Sequence, residues 1–108
     1  MAMIPFRDLV ALHLASRHLR SEGWTVQRDI LLDSGVEVHF LASRDREGIL
    51  AHCKEEAGNV LFEHVDHTAA LATEARAGSA ILYVPIGSFT PPVILAYAAK
   101  RHVRIEAL

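Results

Sequence analysis

Residues 35–54 read GVEVHFLASRDREGILAHCK, a pattern that predicts two β-strands joined by a hairpin. Apolar and polar positions alternate over residues 36–42, which predicts a β-strand, because successive side chains of a strand point to opposite faces. The polar run at 44–48 predicts a hairpin connection, and 49–54 predicts the returning strand. The alternation assigns Val36, Val38, Phe40 and Ala42 to one face, and Glu37, His39 and Leu41 to the other.

Three side chains that could bind a metal or take part in catalysis are expected on one face of this hairpin. His52 and Lys54 share a face because side chains of a strand repeat every two residues. The hairpin is expected to bring Glu37 beside them. Cys53 points to the opposite face and is predicted to be a small core residue rather than a nucleophile.

The segment before the hairpin predicts one helix and one strand. Residues 6–21 place Leu9, Leu12, Ser16 and Leu19 at helical spacing, and Gly23 ends the helix. Residues 24–32 read as a strand, and Asp33-Ser34-Gly35 as a turn.

The segment after the hairpin predicts two helices that alternate with two strands. The first helix covers about 60–77, and its buried stripe is Leu61, Val65, Thr68, Ala72 and Ala75. A buried strand at 81–84 follows. Thr90 and Pro91 are then expected as N-cap and first residue of a helix to about Arg101. With a last strand at 103–107, the order is α-β-β-β-α-β-α-β. Residues 1–108 are therefore predicted to form a single α/β domain, a mixed sheet flanked by helices.

Composition narrows the class of protein. The chain has 108 residues, of which 51% are apolar, with 11 Lys and Arg against 13 Asp and Glu. This balance argues against a strongly basic nucleic-acid module. A single cysteine excludes an internal disulfide framework. Neither a signal peptide nor an apolar run of membrane-spanning length is evident, so we expect a soluble, cytoplasmic protein without a membrane partner.

The residues on the hairpin suit phosphodiester hydrolysis. That reaction needs a divalent metal held by carboxylates and a backbone carbonyl, and a cation that steadies the attacking water or the phosphate charge. An acid on one strand, with an acid or amide and then Lys two residues on along the next strand, supplies this. Glu37, His52 and Lys54 have this layout.

The motifs resemble those of the Mrr-type branch of the PD-(D/E)XK restriction-endonuclease-like superfamily, over nearly the whole chain. Residues 35–38 (GVEV) are similar to its Gly-x-Asp-hydrophobic motif, and 51–54 (AHCK) to its hydrophobic-Gln-Cys-Lys motif. Residues 58–60 (GNV) resemble its link into the next helix. Residues 88–90 (SFT) resemble the turn that opens its last helix, and 102–106 (HVRIE) resemble its last strand.

The resemblance implies a metal-dependent nuclease acting on DNA, with Mg²⁺ or Mn²⁺ as cofactor. Glu37, His52 and the backbone carbonyl of Cys53 would hold the metal, and Lys54 would assist the water or the phosphate. Two positions depart from the pattern. Glu37 stands where the branch has Asp, and His52 stands where it has Glu or Gln. An imidazole favours transition metals over Mg²⁺.

Alternatives stay open at this point. The chain is either an active endonuclease or a catalytically inactive member of the fold that binds nucleic acid or assembles with proteins. A third interpretation is a transition-metal site of His39, His52, His64 and His67. Arg7, Arg17 and Arg20 either contact phosphate or form a solvated helix face. A domain this small has little surface for a duplex, so a homodimer or a larger complex is expected.

Overall fold

The computed structural model describes residues 6–54 and 56–107, and the side chains of 12–54 and 56–107. The elements are α1 (Phe6–Ser21), β1 (Thr25–Leu31), β2 (Glu37–Arg44), β3 (Glu47–Cys53), α2 (Phe62–Glu74), β4 (Ser79–Val84), α3 (Pro92–Lys100) and β5 (Val103–Ala107). This is the order that the sequence predicts.

The five strands form one mixed sheet in the order β1-β2-β3-β4-β5. The β1–β2 and β2–β3 pairs are antiparallel, and the β3–β4 and β4–β5 pairs are parallel. The parallel pairs follow from the crossovers, because α2 connects β3 to β4 and α3 connects β4 to β5.

Helices cover both faces of the sheet. On one face, α2 and α3 pack over a cluster that includes the fully buried Leu50 and Val65. On the other face, Leu12 and Leu19 of α1 pack with Phe40 and other strand residues. Strand alternation therefore separates two hydrophobic layers, as predicted for a mixed sheet flanked by helices.

The β2–β3 hairpin is tighter than the sequence predicts. Arg44 is paired with Glu47, so only Asp45 and Arg46 form the turn, and Asp45 has a φ of 55°. Gly48 already belongs to β3 and lies close to Arg76 and Ala77, which follow the end of α2. A Cβ built there would lie 3.1 Å from the Ala77 Cα, closer than an ordinary van der Waals contact, so a larger residue would have to displace the backbone at Ala77 slightly.

The turn between β1 and β2 is anchored to α2. Gly35 has a φ of 88°, which only glycine adopts readily. The backbone N–H and the hydroxyl of Ser34 both donate to the Glu74 carboxylate, at 2.6 and 2.8 Å. The predicted single face for Val36, Val38, Phe40 and Ala42 is wrong. Val36 and Val38 pack with Leu41 on the α2 side of the sheet, whereas Phe40 and Ala42 pack on the α1 side.

The helix starts differ from the sequence prediction. Val60 donates its N–H to the Phe89 carbonyl at 2.9 Å, so it lies in an extended segment, and α2 begins at Phe62. The N-cap of α3 is Pro91, and not Thr90 as predicted. The reason is that Pro92 follows, because a residue before proline is disfavoured in helical conformation. Pro91 accordingly has a ψ of 146°.

Within the described residues, no helix is long and apolar enough to cross a membrane.

Candidate functional site

The strands β2 and β3 separate at one end of the sheet. Their pairing runs from Arg44 opposite Glu47 to Phe40 opposite Ala51. Beyond that point β2 stays with β1 as far as Glu37, and β3 stays with β4 as far as Cys53. The two strand ends are thus held by different neighbours, and a cleft opens between them.

The cleft contains the three hairpin residues that the sequence singles out. Its main part has a volume of about 760 Å³, and a second part beneath α2 has about 540 Å³. Glu37, His52 and Lys54 all line the main part. The full lining is Leu31, Gly35, Val36, Glu37, His52, Cys53, Lys54, Glu56, Glu63, His64, His67 and Leu82. The structure therefore brings the three together, and their chemical roles stay predictions.

Lys54 is held at the cleft by its own chain. Its backbone N–H donates to the Tyr83 carbonyl at 2.8 Å, just past the end of β3. Its ammonium group donates to the backbone carbonyl of Glu56. Lys54 is the only Lys or Arg among the described residues that line the cleft.

The backbone around Cys53 turns a carbonyl towards the cleft. Because the Lys54 N–H bonds to β4, the neighbouring Cys53 has its backbone groups on the other side of β3, where β2 has moved away. The Cys53 side chain is buried under α1, as predicted. The ligand role that the resemblance implies for this carbonyl stays a prediction.

His52 lies at the centre of three imidazoles. Its ring is 5.3 Å from that of His67 and 6.5 Å from that of His39. Burial, together with the smaller effects of the charges of His67 and His39, lowers the pKa of His52 from 6.5 to about 4. Burial also lowers the pKa of His39. His52 is therefore neutral near pH 7.

The Nδ1 atom of His52 is buried and has no hydrogen-bond partner among the described residues. A neutral imidazole keeps a lone pair on one of its two nitrogens. A buried polar atom without a partner costs free energy, so such an atom in a cleft is a candidate for contact with a ligand.

The first turn of α2 supplies the opposite wall of the cleft. The backbone N–H of Leu61 donates to Nδ1 of His64 at 2.8 Å, which assigns the His64 proton to Nε2. His67 lies one turn further along the same helix face. The His-x-x-His spacing indicated this pair from sequence. Glu63 and Glu56 lacked any such signal and were missed.

The four-histidine metal site of the third interpretation is not preformed. Among the residues that the structure describes, no group of three or more His, Cys, Asp and Glu side chains is placed to hold a metal ion. His64 is further committed to the cap of α2. The contacts of His39 and His67 with His52 are contacts between rings.

Two of the three arginines predicted to touch nucleic acid, Arg17 and Arg20, lie away from the cleft. Arg17 and Arg20 lie on α1, which packs on the opposite face of the sheet. Arg20 donates to the Val26 carbonyl at 3.3 Å. The side chain of Arg7 lies outside the described residues.

Comparison with known proteins rests on structure. No protein-family model matches the sequence, and no curated protein matches it either. AF1548, a protein of unknown function, has a TM-score of 0.66 at 14% identity, over 90% of this chain and 56% of that chain. A repair endonuclease from Pyrococcus abyssi has a TM-score of 0.60 at 14% identity, over 98% and 47%.

A third solved structure is SfsA from Pyrococcus furiosus in complex with Ca²⁺, with a TM-score of 0.54 at 16% identity, over 99% of this chain and 58% of that chain. The chain thus spans about half the length of the structures it matches. Together with the observed order of elements, these likenesses show that the chain has a restriction-endonuclease-like fold, a mixed five-stranded sheet flanked by helices.

Proposed function

We propose that this chain is a metal-dependent nuclease domain that hydrolyses phosphodiester bonds in DNA, an atypical variant of the Mrr-type pattern. The observation that carries the proposal is the cleft at the diverging ends of β2 and β3, which Glu37, His52 and Lys54 all line. The likeness to a repair endonuclease supports the same class of activity.

The donors in the cleft suit Mn²⁺ better than Mg²⁺. Glu37 offers one carboxylate, and His52 offers a neutral imidazole with a buried nitrogen that lacks a partner in the described chain. Mg²⁺ prefers oxygen ligands, whereas an imidazole shifts the preference towards transition metals. Water and a substrate phosphate would complete the coordination. When bound, the metal would lower the pKa of a coordinated water and offset charge on the phosphate.

Lys54 would act on the substrate directly. Its ammonium group bonds to a carbonyl two residues away, and that contact is easily exchanged for a phosphate oxygen because the lysine stem is flexible. In the cleft, Lys54 would stabilise the negative charge that develops on the phosphate. Neutral His52 adds no positive charge that would repel a metal.

The test is cleavage of supercoiled plasmid and of single-stranded DNA with Mn²⁺ and, separately, Mg²⁺. Lys54→Ala and Glu37→Gln are expected to abolish cleavage, and Mn²⁺ is expected to support it better than Mg²⁺. The matched controls are Lys100→Ala on α3 and Glu47→Gln at the far end of the hairpin. Equal cleavage by the site variants and the controls would show that a contaminant is responsible and would refute the proposal.

A second candidate is a catalytically inactive domain that binds nucleic acid or assembles with proteins. It is favoured by two observations: the Lys54 ammonium group donates to the Glu56 carbonyl, and Lys54 is the only Lys or Arg among the described residues that line the cleft. Binding of labelled DNA that is unchanged by Mn²⁺ and by Glu37→Gln, without any cleavage, would support this candidate over the nuclease.

A further inference from the structure

The strand β5 forms one edge of the sheet in the described part of the chain. Its residues Val103–Ala107 pair with β4 on one side. An edge strand presents backbone N–H and C=O groups that readily pair with a further strand. Which groups β5 presents, and which side chains flank them, decides what kind of strand fits.

The hydrogen bonds of the β4–β5 ladder fix the direction of each backbone group. The Ala80 N–H donates to the His102 carbonyl at 2.9 Å. Since backbone groups alternate along a strand, those of Arg104 and Glu106 also face β4. The N–H and C=O groups of Val103, Ile105 and Ala107 therefore face outwards at the edge.

We propose that β5 pairs antiparallel with β5 of a second copy of this chain, about a two-fold axis through Ile105. Ile105 then lies opposite Ile105 of the second copy in a hydrogen-bonded pair, and Val103 lies opposite Ala107. All the outward backbone groups of the strand are satisfied by this register. The two five-stranded sheets join into one continuous sheet.

Charge complementarity identifies the occupant as a second copy. In this register Arg104 lies opposite Glu106 of the second copy, on both sides of the axis. These are non-hydrogen-bonded pairs, in which the side chains of an antiparallel ladder approach most closely. Within one chain the Arg104 guanidinium already contacts the Glu106 carboxylate at 2.7 Å, and both side chains are exposed. The strand is thus electrostatically complementary to itself only when reversed.

The face of β5 that carries Ile105 adds apolar surface to this contact. Ile105 is half-buried against the α2–α3 cluster. It lines a groove of about 430 Å³ together with Leu95, whose side chain is 46% exposed, and Ala99. Two such grooves meet across the proposed axis. Closed two-fold dimers are also the commonest oligomers of soluble proteins.

The test uses charge reversal and sedimentation equilibrium of the full chain. We expect the wild type to dimerise. Arg104→Glu places two carboxylates opposite each other at each pair, and Glu106→Arg places two guanidinium groups there. Each variant alone is expected to dimerise roughly tenfold or more weakly. An equimolar mixture of the two variants restores both pairs and is expected to form a heterodimer with about wild-type affinity. Arg46→Glu, in the β2–β3 turn, is the control and should leave the dimer unchanged.

Three outcomes would overturn the proposal: a monomeric wild type, reversal variants that dimerise as the wild type does, or a mixture no tighter than its components. Amide exchange gives a readout that needs no variant. Protection of the Ile105 N–H should increase with protein concentration, and protection that is independent of concentration would contradict pairing at this edge. Neither measurement depends on nuclease activity, so a failure here leaves the proposed function untouched.

Discussion

Acidification should destabilise this protein through His52. The ring lies in the cleft between His39 and His67, and its burial lowers the pKa to about 4 from 6.5. Between these two pH values the unfolded chain binds a proton at His52 that the folded chain does not. Folding is therefore penalised in this window, and the free energy of unfolding falls as the pH is lowered from 6.5 to about 4.

The size of the effect follows from the difference between the two pKa values. At about 1.4 kcal/mol for each pKa unit, the upper limit is on the order of 3 kcal/mol. The ring is not fully sealed from water, so the measured loss should be smaller than this limit. The lowered pKa of His39 adds to the loss in the same direction. A loss of this size is a large fraction of the stability of an ordinary domain.

The assay is urea unfolding in metal-free buffer at pH 7.5, 6.0 and 4.5, for the wild type, His52→Gln and His13→Gln. His13 lies exposed on α1, across the sheet from the cleft, and provides the matched control. His52→Gln should show a clearly shallower loss of stability on acidification than the other two proteins. The reasoning is refuted if all three proteins lose the same free energy between pH 7.5 and pH 4.5.

Three further predictions concern the core. Leu50→Ala removes a fully buried side chain and should lower the free energy of unfolding in urea by about 2–5 kcal/mol. Leu31→Ala, at a position 70% exposed, should change this free energy by about 0.5 kcal/mol or less. Similar losses in the two variants would contradict the assigned core. Gly48→Ala should destabilise by about 1–3 kcal/mol, because its Cβ meets the Ala77 backbone at 3.1 Å, and an unchanged melting temperature would speak against this contact. The buried Cys53 thiol should react with an aromatic disulfide reagent only after denaturation, and rapid reaction of the native protein would show that the α1 layer is open.

The hairpin was predictable from sequence because its information is local. Alternation over residues 49–54 correctly separates His52 and Lys54, which line the cleft, from Cys53, whose side chain packs on the α1 side. The alternation predicted for β2 does not hold between Val38 and Phe40, and Glu37 lines the same cleft at a point where β2 and β3 are no longer paired. Local patterns also predicted the order of all eight elements, because each helix or strand has its own hydrophobic periodicity and is followed by residues typical of a turn or helix end.

The features that could not be predicted from the sequence depend on contacts between residues far apart in the chain. The separation of β2 from β3 arises because β1 and β4 hold the two strand ends, and no residue in the hairpin encodes it. The start of α2 is set by a hydrogen bond from Val60 to Phe89, far along the chain. The placement of Arg17 and Arg20 away from the cleft likewise follows from which face of the sheet α1 covers.

Of the two departures from the resembled pattern, only His52 can change the charge of the proposed metal site, because Glu37 keeps the charge of the Asp that it replaces, and it does so where the pattern has Glu and not Gln. A site with two carboxylates and one lysine carries net negative charge and attracts a divalent cation strongly. Here His52 is neutral, so the hairpin contributes only the opposite charges of Glu37 and Lys54. If the cleft binds a metal as proposed, its affinity should be weaker than that of a site with two carboxylates and should depend on the imidazole more than on charge. Because protonation removes the lone pair of an imidazole, metal binding through His52 would be lost on acidification. Burial lowers the pKa of this ring to about 4, which keeps the imidazole available as a ligand at pH values where an exposed histidine would already be protonated.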